Sequence, residues 1–340
     1  MPSVLSLLIS FLLYSFSLVS LAANYSSTAY IPSVKAPLVS QSLLLSITTI
    51  GQVKLVAVGE HGHIIISTDG LNWQQSSVPV QTTLTDVFFY NENLGWAVGH
   101  DATILHSKDG GLSWKVQLYK PTLEKPLLNV VFKSPLEGVA IGAYGLLFRT
   151  TDGGKTWQSE FHGEFLLPDD VEYLAELKQE DEEAYLDEVS FILPHFNRLM
   201  LDGRTLYMVG EIGLIAKSND FGRNWQLFDE IYQGSFFDII RTLKSNLLVV
   251  GLRGHVFSSK NGAPWKKRQT NTTALINDIV LTNDDRIFLL ANNGTLLESN
   301  DDGQSFRLRR QKDGKALIAG VWFNNQLIVV SDIGVKIIGL

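Results

Sequence analysis

Histidine and carboxylate side chains recur in short loops of this 340-residue chain, at intervals of about 40 residues. The residues are Glu60, His61, His63, His100, Asp101, Glu211 and Asp332. Imidazole and carboxylate groups that converge can bind a divalent cation. Surface loops are polar in any case, so we expect ordinary loop residues here, with no metal site and no cofactor. The chain has no cysteine, which excludes disulfides, thiol catalysis and zinc–thiolate sites.

Basic side chains form two further candidate sets. His106, Arg149 and Lys217 each stand directly before the Ser or Thr of a repeated motif. Together they could bind an acidic peptide or carboxylate, or they are ordinary exposed strand residues. The second set, a basic rim, follows two later copies of the motif and consists of Lys266, Lys267, Arg268, Arg307, Arg309 and Arg310. It could contact anionic lipid headgroups or an acidic partner, although charged edge strands also prevent aggregation.

The repeated motif is a Ser or Thr, one variable residue, Asp, a Gly-containing turn and Trp. Its clearest copies are 107–114, 150–157 and 218–225, and imperfect copies are 67–73, 258–265 and 299–306. Asp and Ser accept hydrogen bonds from backbone N–H groups just downstream, Gly permits positive φ, and Trp covers the turn. We therefore interpret the motif as structural. Its defining residues are Asp69, Trp73, Asp109, Gly111, Trp114, Asp152, Gly154, Trp157, Asp220, Gly222, Trp225, Trp265, Asp301 and Phe306.

The spacing of these motifs predicts the architecture. The closing aromatic residues lie 41, 43, 68, 40 and 41 residues apart. Seven apolar runs accompany them, of which five end in Gly and two degenerate versions end in Ala291 and Ser331. Each unit therefore carries four strands, A to D, with the motif joining C to D. Seven such units predict an all-β, seven-bladed propeller with four-stranded blades. The seventh unit begins near Leu317 and stops after strand C, so we expect the segment Tyr30–Val39 to supply its outer strand.

One connection between strands D and A is longer than the others by about 25 residues. Residues 158–194 contain 12 acids and one Lys, a net charge of −11, whereas the whole chain is −7. The pattern predicts a helix from Pro168 to Val189, weakest at the like-charged run Glu180–Glu183. The apolar face of this helix comprises Val171, Leu174, Leu177, Tyr185 and Val189. This acidic insertion (residues 158–195) should overhang the B–C loops, either as a solvated helix or as a docking or lid element.

Residues 1–23 are almost wholly apolar or Ser and predict a signal peptide cleaved after Ala22. The propeller then occupies residues 24–340. The start lacks Lys and Arg, which leaves an uncleaved anchor as the alternative, and no Cys follows, so a lipoprotein is not expected. We expect an exported protein, periplasmic or secreted. Nucleic acid is not an expected partner, because the chain is acidic overall and its basic clusters lack aromatic residues.

The motif copies, the Val-Gly-x-x-Gly pattern before them and the 41-residue period resemble the photosystem II stability/assembly factor-like propellers. This family lies within the wider bacterial-neuraminidase (Asp-box) repeat group. The likeness covers about residues 40–340 outside the insertion. It implies a non-enzymatic factor, lumenal in thylakoids or periplasmic, that holds membrane subunits through a basic surface.

The family often has Arg before the box Ser or Thr, and only part of that pattern is present here. Arg149 matches it, and Lys217 and His106 substitute in part. The positions that depart are Ile66, Phe257 and Glu298. These departures and the insertion favour a bacterial member outside photosynthesis.

We therefore expect a monomeric, non-catalytic scaffold that binds an integral membrane protein or envelope complex, with peripheral membrane contact as an option. One alternative is a surface carbohydrate- or peptide-binding module that uses His106, Arg149 and Lys217. Another is a sialidase-like glycosidase, which needs three Arg, a Tyr nucleophile paired with Glu, and an Asp acid/base. Such enzymes carry Arg-Ile-Pro near the start, whereas this chain has Tyr30-Ile31-Pro32.

Overall fold

Short apolar runs form seven antiparallel sheets in the computed structural model, which describes residues 30–340. The first three sheets are β1 (Leu44–Ile50), β2 (Lys54–Gly59), β3 (Ile64–Ser67) and β4 (Gln74–Gln75); β5 (Leu84–Phe89), β6 (Gly95–Gly99), β7 (Thr103–Ser107) and β8 (Lys115–Leu118); β9 (Leu127–Phe132), β10 (Gly138–Gly142), β11 (Leu147–Thr150) and β12 (Gln158–Ser159). The next two are β13 (Phe196–Asp202), β14 (Thr205–Gly210), β15 (Ile215–Ser218) and β16 (Gln226–Leu227); β17 (Phe236–Arg241), β18 (Leu247–Gly251), β19 (Val256–Ser259) and β20 (Lys266–Arg268). The last two are β21 (Ile276–Leu281), β22 (Ile287–Ala291), β23 (Thr295–Ser299) and β24 (Arg307–Arg310); β25 (Leu317–Phe323), β26 (Gln326–Ser331) and β27 (Gly334–Ile338). The predicted signal peptide, residues 1–23, lies outside the described residues.

The sheets are the blades of a closed ring, which confirms the seven-bladed propeller. The inner strand of each blade contacts the inner strand of the next, and β25 of the seventh blade contacts β1 of the first. The second strand of every blade is almost wholly buried, as in β6 and β18. Neighbouring blades cover both of its faces, which explains the unbroken apolar runs before each Gly in the sequence.

The seventh blade has three strands, and the segment before β1 does not complete it as expected. That segment forms no strand and instead follows the first blade. The Ser33 N–H donates to the Val78 carbonyl at 3.0 Å, and the Gln75 side chain accepts from the Ala36 N–H at 2.9 Å. Pro32 and Pro37 interrupt the segment. Because proline lacks the N–H of a strand ladder, the prediction of a fourth strand from Tyr30–Val39 was wrong.

The Asp motifs close the C–D turns through a repeated set of hydrogen bonds. In the second blade the Ser107 hydroxyl donates to Asp109 Oδ1 at 2.8 Å and accepts from the Gly111 N–H at 2.9 Å. The Trp114 indole then donates to the Gly111 carbonyl at 3.0 Å. In the third blade Thr150 makes the same two bonds with Asp152 and Gly154, but the Trp157 indole donates to Gln117 Oε1 at 3.4 Å. Hydrogen bonds from the backbone and hydroxyl of Thr156 lower the pKa of Asp152 to about 2.

The acidic insertion contains two helices, α1 (Pro168–Glu180) and α2 (Glu182–Val189). The break falls inside the like-charged run, where Asp181 leaves helical geometry and caps α2. Its carboxylate accepts from the N–H groups of Glu183 and Ala184 at 3.1 and 3.0 Å. Of the predicted apolar face, Leu174 is buried but Val171 is exposed. Within residues 30–340 no helix has the length and apolarity needed to span a membrane.

Candidate functional site

One face of the ring is formed by the B–C loops and the D–A connections, and we call it the loop face. Backbone hydrogen bonds tie the two kinds of segment together, as between Gly145 N and the Pro194 carbonyl at 2.9 Å. The acidic insertion overhangs this face at the third blade. There the Tyr144 ring packs against Phe191 and His195, with ring centroids 5.3 and 4.5 Å apart. The sequence predicted this placement from strand order alone.

A groove of about 510 Å³ lies on the same face between the fifth and sixth blades. Four basic side chains line it: Arg253 from a B–C loop, Lys267 and Arg268 from β20, and Arg310 from the end of β24. We call this the cationic groove. Its remaining lining consists of His255 and of hydroxyl, amide and small residues, with no Asp or Glu. The groove can therefore attract an anion and donate hydrogen bonds to it.

The charges of the cationic groove are not neutralised by the protein. Among the described residues no carboxylate lies within 4.0 Å of the four basic groups. Their side-chain hydrogen-bond partners are neutral. The neighbouring Arg309 behaves differently, because its guanidinium lies 2.6 Å from Glu298 Oε2. Burial, and then the charges of Lys267 and Arg253, lower the pKa of His255 in the groove wall. A proton on this imidazole is thus disfavoured by the groove's positive field.

The structure divides the predicted basic rim. Lys267 and Arg310 line the cationic groove, and Lys266 lines a different cavity beside Pro264. Arg268 lines both. Arg307 is exposed on β24. The sequence analysis did not include Arg253 in this basic set, because a loop residue of one unit and strand ends of two units meet only on the folded ring. The role of all these residues in partner binding stays a prediction.

The predicted cluster of His106, Arg149 and Lys217 is not brought together as one charged surface. The His106 ring stacks on Trp96 at 4.7 Å, and burial, with the nearby charge of Lys108, lowers its pKa to about 4. It is therefore neutral at pH 7. The Lys217 ammonium lies 5.4 Å above the ring of Phe228, its own cation–π partner.

Arg149 ties two blades together. Its Nη1 and Nη2 donate to the carbonyls of Phe221 and Gly222 at 2.7 and 2.9 Å, in the Asp motif of the next blade. Its other edge forms a bidentate pair with Glu160, at 2.6 and 2.8 Å. The side chain is only 6% exposed. Comparable ties link other blades, such as Gln117 to the Gly153 carbonyl at 2.8 Å.

The histidine and carboxylate loops do not assemble a metal site in residues 30–340, where no three such groups converge. His61 lies 3.8 Å from Glu60, and its ring centroid is 5.9 Å from that of His63. Glu211 instead pairs with His195 at 3.5 Å.

The centre of the ring holds a charged cluster that the sequence reasoning missed. Arg198 of β13 lies 3.6 Å from Asp86, 3.3 Å from Asp238 and 3.3 Å from Asp278. These residues belong to four different blades, and Arg198, Asp86 and Asp278 line a cavity of about 420 Å³. Burial opposes the charge on Arg198, but Asp238, Asp278 and Asp86 together raise its pKa. Burial, and then the neighbouring Asp238, raise the pKa of Asp278 to about 8 against the attraction of Arg198.

The central carboxylates are engaged in holding adjacent blades. Asp238 Oδ2 accepts from the Ile279 N–H at 2.9 Å, and Asp278 Oδ2 accepts from the Gly320 N–H at 2.8 Å. A glycosidase of the sialidase type would need three arginines around its substrate carboxylate, and one arginine lines this cavity. A signal existed in the sequence: the third residue of each inner strand recurs as Ser46, Asp86, Asn129, Arg198, Asp238, Asp278 and Ala319. Charged residues at that register in apolar strands indicate an internal network.

Comparisons with known proteins agree with this architecture. The photosystem II assembly protein Ycf48 of Thermosynechococcus vestitus is 28% identical over 235 residues, which are 68% of this chain and 60% of that protein. The photosystem II assembly lipoprotein Ycf48 of a Picosynechococcus strain is 28% identical over 108 residues, or 31% of this chain and 32% of that protein. The chain thus matches less than two thirds of the length of these relatives.

Two solved structures share the fold. One, described as YCF48 bound to D1 peptide, has a TM-score of 0.66 and 18% identity, covering 90% of this chain and 95% of that one. The other, YCF48 from Cyanidioschyzon merolae, has a TM-score of 0.63 and 17% identity, covering 89% and 96%. A profile of the family described as photosynthesis system II assembly factor YCF48 matches residues 65–262, more than half of the chain. The chain belongs to this family of seven-bladed propellers.

Proposed function

We propose that this protein is an exported, non-catalytic scaffold that binds a membrane protein complex and assists its assembly or stability. The proposal rests on the cationic groove, whose four basic groups have no carboxylate partner among the described residues. The groove lies on the loop face of a propeller that belongs to an assembly-factor family. The relatives named as photosystem II assembly proteins support the assembly role. The apolar start of the sequence supports export, to the periplasm, the cell exterior or a thylakoid lumen.

The partner that suits the groove is an acidic protein segment. Four like charges in one groove repel each other, and this cost is offset when an anionic ligand enters. Each solvent-exposed ion pair between the groove and such a segment contributes about 0–1 kcal/mol. The groove would therefore supply modest affinity together with faster association. This matches a factor that must later release its client.

A lipid headgroup fits the surroundings of the groove less well. Peripheral membrane binding usually combines basic groups with apolar side chains that enter the bilayer. No large hydrophobic side chain of the described chain lines the groove. The groove therefore has charge without an apolar anchor, which favours a protein partner.

The test is copurification from crosslinked membranes of the source organism. The groove variant Arg253→Glu/Arg310→Glu is compared with the matched variant Arg204→Glu/Arg223→Glu, which changes net charge equally at exposed positions away from the groove. Wild type and the matched variant should recover the same integral membrane protein, and the groove variant about ten-fold less. Recovery of no reproducible membrane partner would sink the scaffold proposal. Equal recovery by both variants would show that the cationic groove does not bind the membrane partner.

A further inference from the structure

A second groove lies on the loop face between the start of the acidic insertion and the fourth blade. It has a volume of about 160 Å³. Leu167, Ile212 and Leu227 line it and are 56%, 55% and 47% exposed. Buried apolar residues, including Phe165, form its wall. We call this the apolar groove.

The charged groups of the apolar groove are all acidic. Asp170, Glu211 and Glu230 line it, and no Lys or Arg does. Glu211 accepts from the His195 N–H at 3.1 Å, and Asp170 accepts from the Leu167 N–H at 3.3 Å. No Lys or Arg nitrogen of the described residues lies within 4.0 Å of these three carboxylates. The groove thus combines exposed apolar surface with uncompensated negative charge.

Ile212 carries a second unfavourable feature, because its backbone is left-handed with φ of 53°. The matching B–C loop positions with positive φ are occupied by His61, Asp101, Tyr144, Arg253 and Asn293. A β-branched residue is rare in this conformation, and the left-handed region costs about 1–2 kcal/mol for residues other than Gly or Asn. The Ile212 side chain remains 55% exposed, so burial within the protein offsets only part of this cost. Such a combination points to a contact made outside the chain.

We propose that the apolar groove binds a protein segment that presents one Leu- or Phe-sized side chain flanked by Lys or Arg. A cavity of about 150 Å³ holds a benzene ring, so the volume suits one such side chain. The three carboxylates would pair with the flanking cations. This inference goes beyond the scaffold proposal, since the site has the opposite charge from the cationic groove and is tested separately.

The probe is a fluorescein-labelled peptide, Gly-Lys-Lys-Phe-Lys-Lys-Gly, with blocked termini, and binding is followed by fluorescence anisotropy. Control peptides replace Phe by Ser, or every Lys by Glu. The Phe–Lys peptide should bind about ten-fold tighter than the Ser peptide, since burial of one aromatic side chain exceeds that difference. The Glu peptide suits the cationic groove instead, so any binding it shows should not depend on Ile212. The affinity of the Phe–Lys peptide should fall several-fold from about 50 mM to about 500 mM salt. Equal binding of the Phe and Ser peptides would mean general attraction to the acidic insertion and overturn the proposal.

The deciding variant is Ile212→Asn, because Asn tolerates left-handed backbone and occupies the matching position in the sixth blade. It should weaken peptide binding about ten-fold while leaving the melting temperature equal or higher. The control is Ile333→Asn in the seventh-blade B–C loop, 40% exposed, which should bind as wild type. Unchanged binding by Ile212→Asn would refute the site. Sedimentation that shows wild-type dimers lost in this variant would instead make a second copy the occupant, and would also overturn the proposal.

Discussion

Replacement of Arg149 by Ala tests whether this residue ties blades together or contacts a partner. The change removes two charge-assisted hydrogen bonds to the Phe221 and Gly222 carbonyls and leaves Glu160 without its partner. Each such bond contributes about 1.5–3 kcal/mol. Removal of one partner from a buried pair costs about 3–5 kcal/mol. Because Glu160 is 28% exposed and can be solvated, we expect a loss near the lower end, about 3 kcal/mol of unfolding free energy.

The assay is urea unfolding at pH 7, followed by tryptophan fluorescence, with thermal unfolding alongside. At about 2 °C per kcal/mol for a large domain, the melting temperature should fall by about 6 °C. Arg223→Ala, at an exposed position, is the matched control and should change stability by less than about 0.5 kcal/mol. A loss below about 1 kcal/mol for Arg149→Ala would refute the blade-tie interpretation. If Arg149→Ala instead recovered less of the membrane partner in the copurification assay at unchanged stability, Arg149 would belong to the predicted partner-binding residues.

Three further predictions concern the centre, the second blade and the insertion. Asp278 has a folded pKa of about 8 against about 4 unfolded, so its contribution to stability is complete below about pH 4 and is lost as pH rises through 8. Asp278→Asn should therefore flatten the decline of the urea midpoint between about pH 5 and pH 8, and an unchanged decline would contradict this. His106 should stay neutral down to about pH 5 in proton NMR, since its pKa is about 4; titration near pH 6.5 would show that the ring is not buried. Asp181→Ala should reduce helical circular dichroism by uncapping α2 at a local cost of about 1 kcal/mol, and a lower melting temperature of the propeller would show that the insertion is coupled to the ring.

The repeat made the ring predictable, because each motif is local and its function in a turn depends on neighbours within a few residues. The Ser107–Asp109–Gly111 turn and the break at Asp181 both follow from such short-range hydrogen bonding. The helix in the insertion was predicted for the same reason. The exposure of Val171 was not predicted, because which face of the helix packs depends on the surface beneath it.

Features that depend on contacts between distant units could not be predicted. Arg198 lies 112 residues from Asp86 and 80 from Asp278 in sequence, and they meet only when the ring closes. Arg149 is a similar case, since a basic residue on a strand is equally compatible with solvent, a partner or the next blade. The segment before β1 was predicted to be a strand because the seventh blade is otherwise incomplete. Pro32 and Pro37, however, lack the N–H groups that such a strand needs.

The cluster around Arg198 has a consequence for how such a chain can change. Although the outer turns are near copies, the inner strands differ at one position, where the single cation of Arg198 is shared among three carboxylates from the second, fifth and sixth blades. Exchanging the fourth unit for a duplicate of the fifth would replace the cation by another acid and gather four acidic groups at the axis. A duplication or exchange of units in this protein therefore requires compensating substitutions at the inner-strand positions around Arg198.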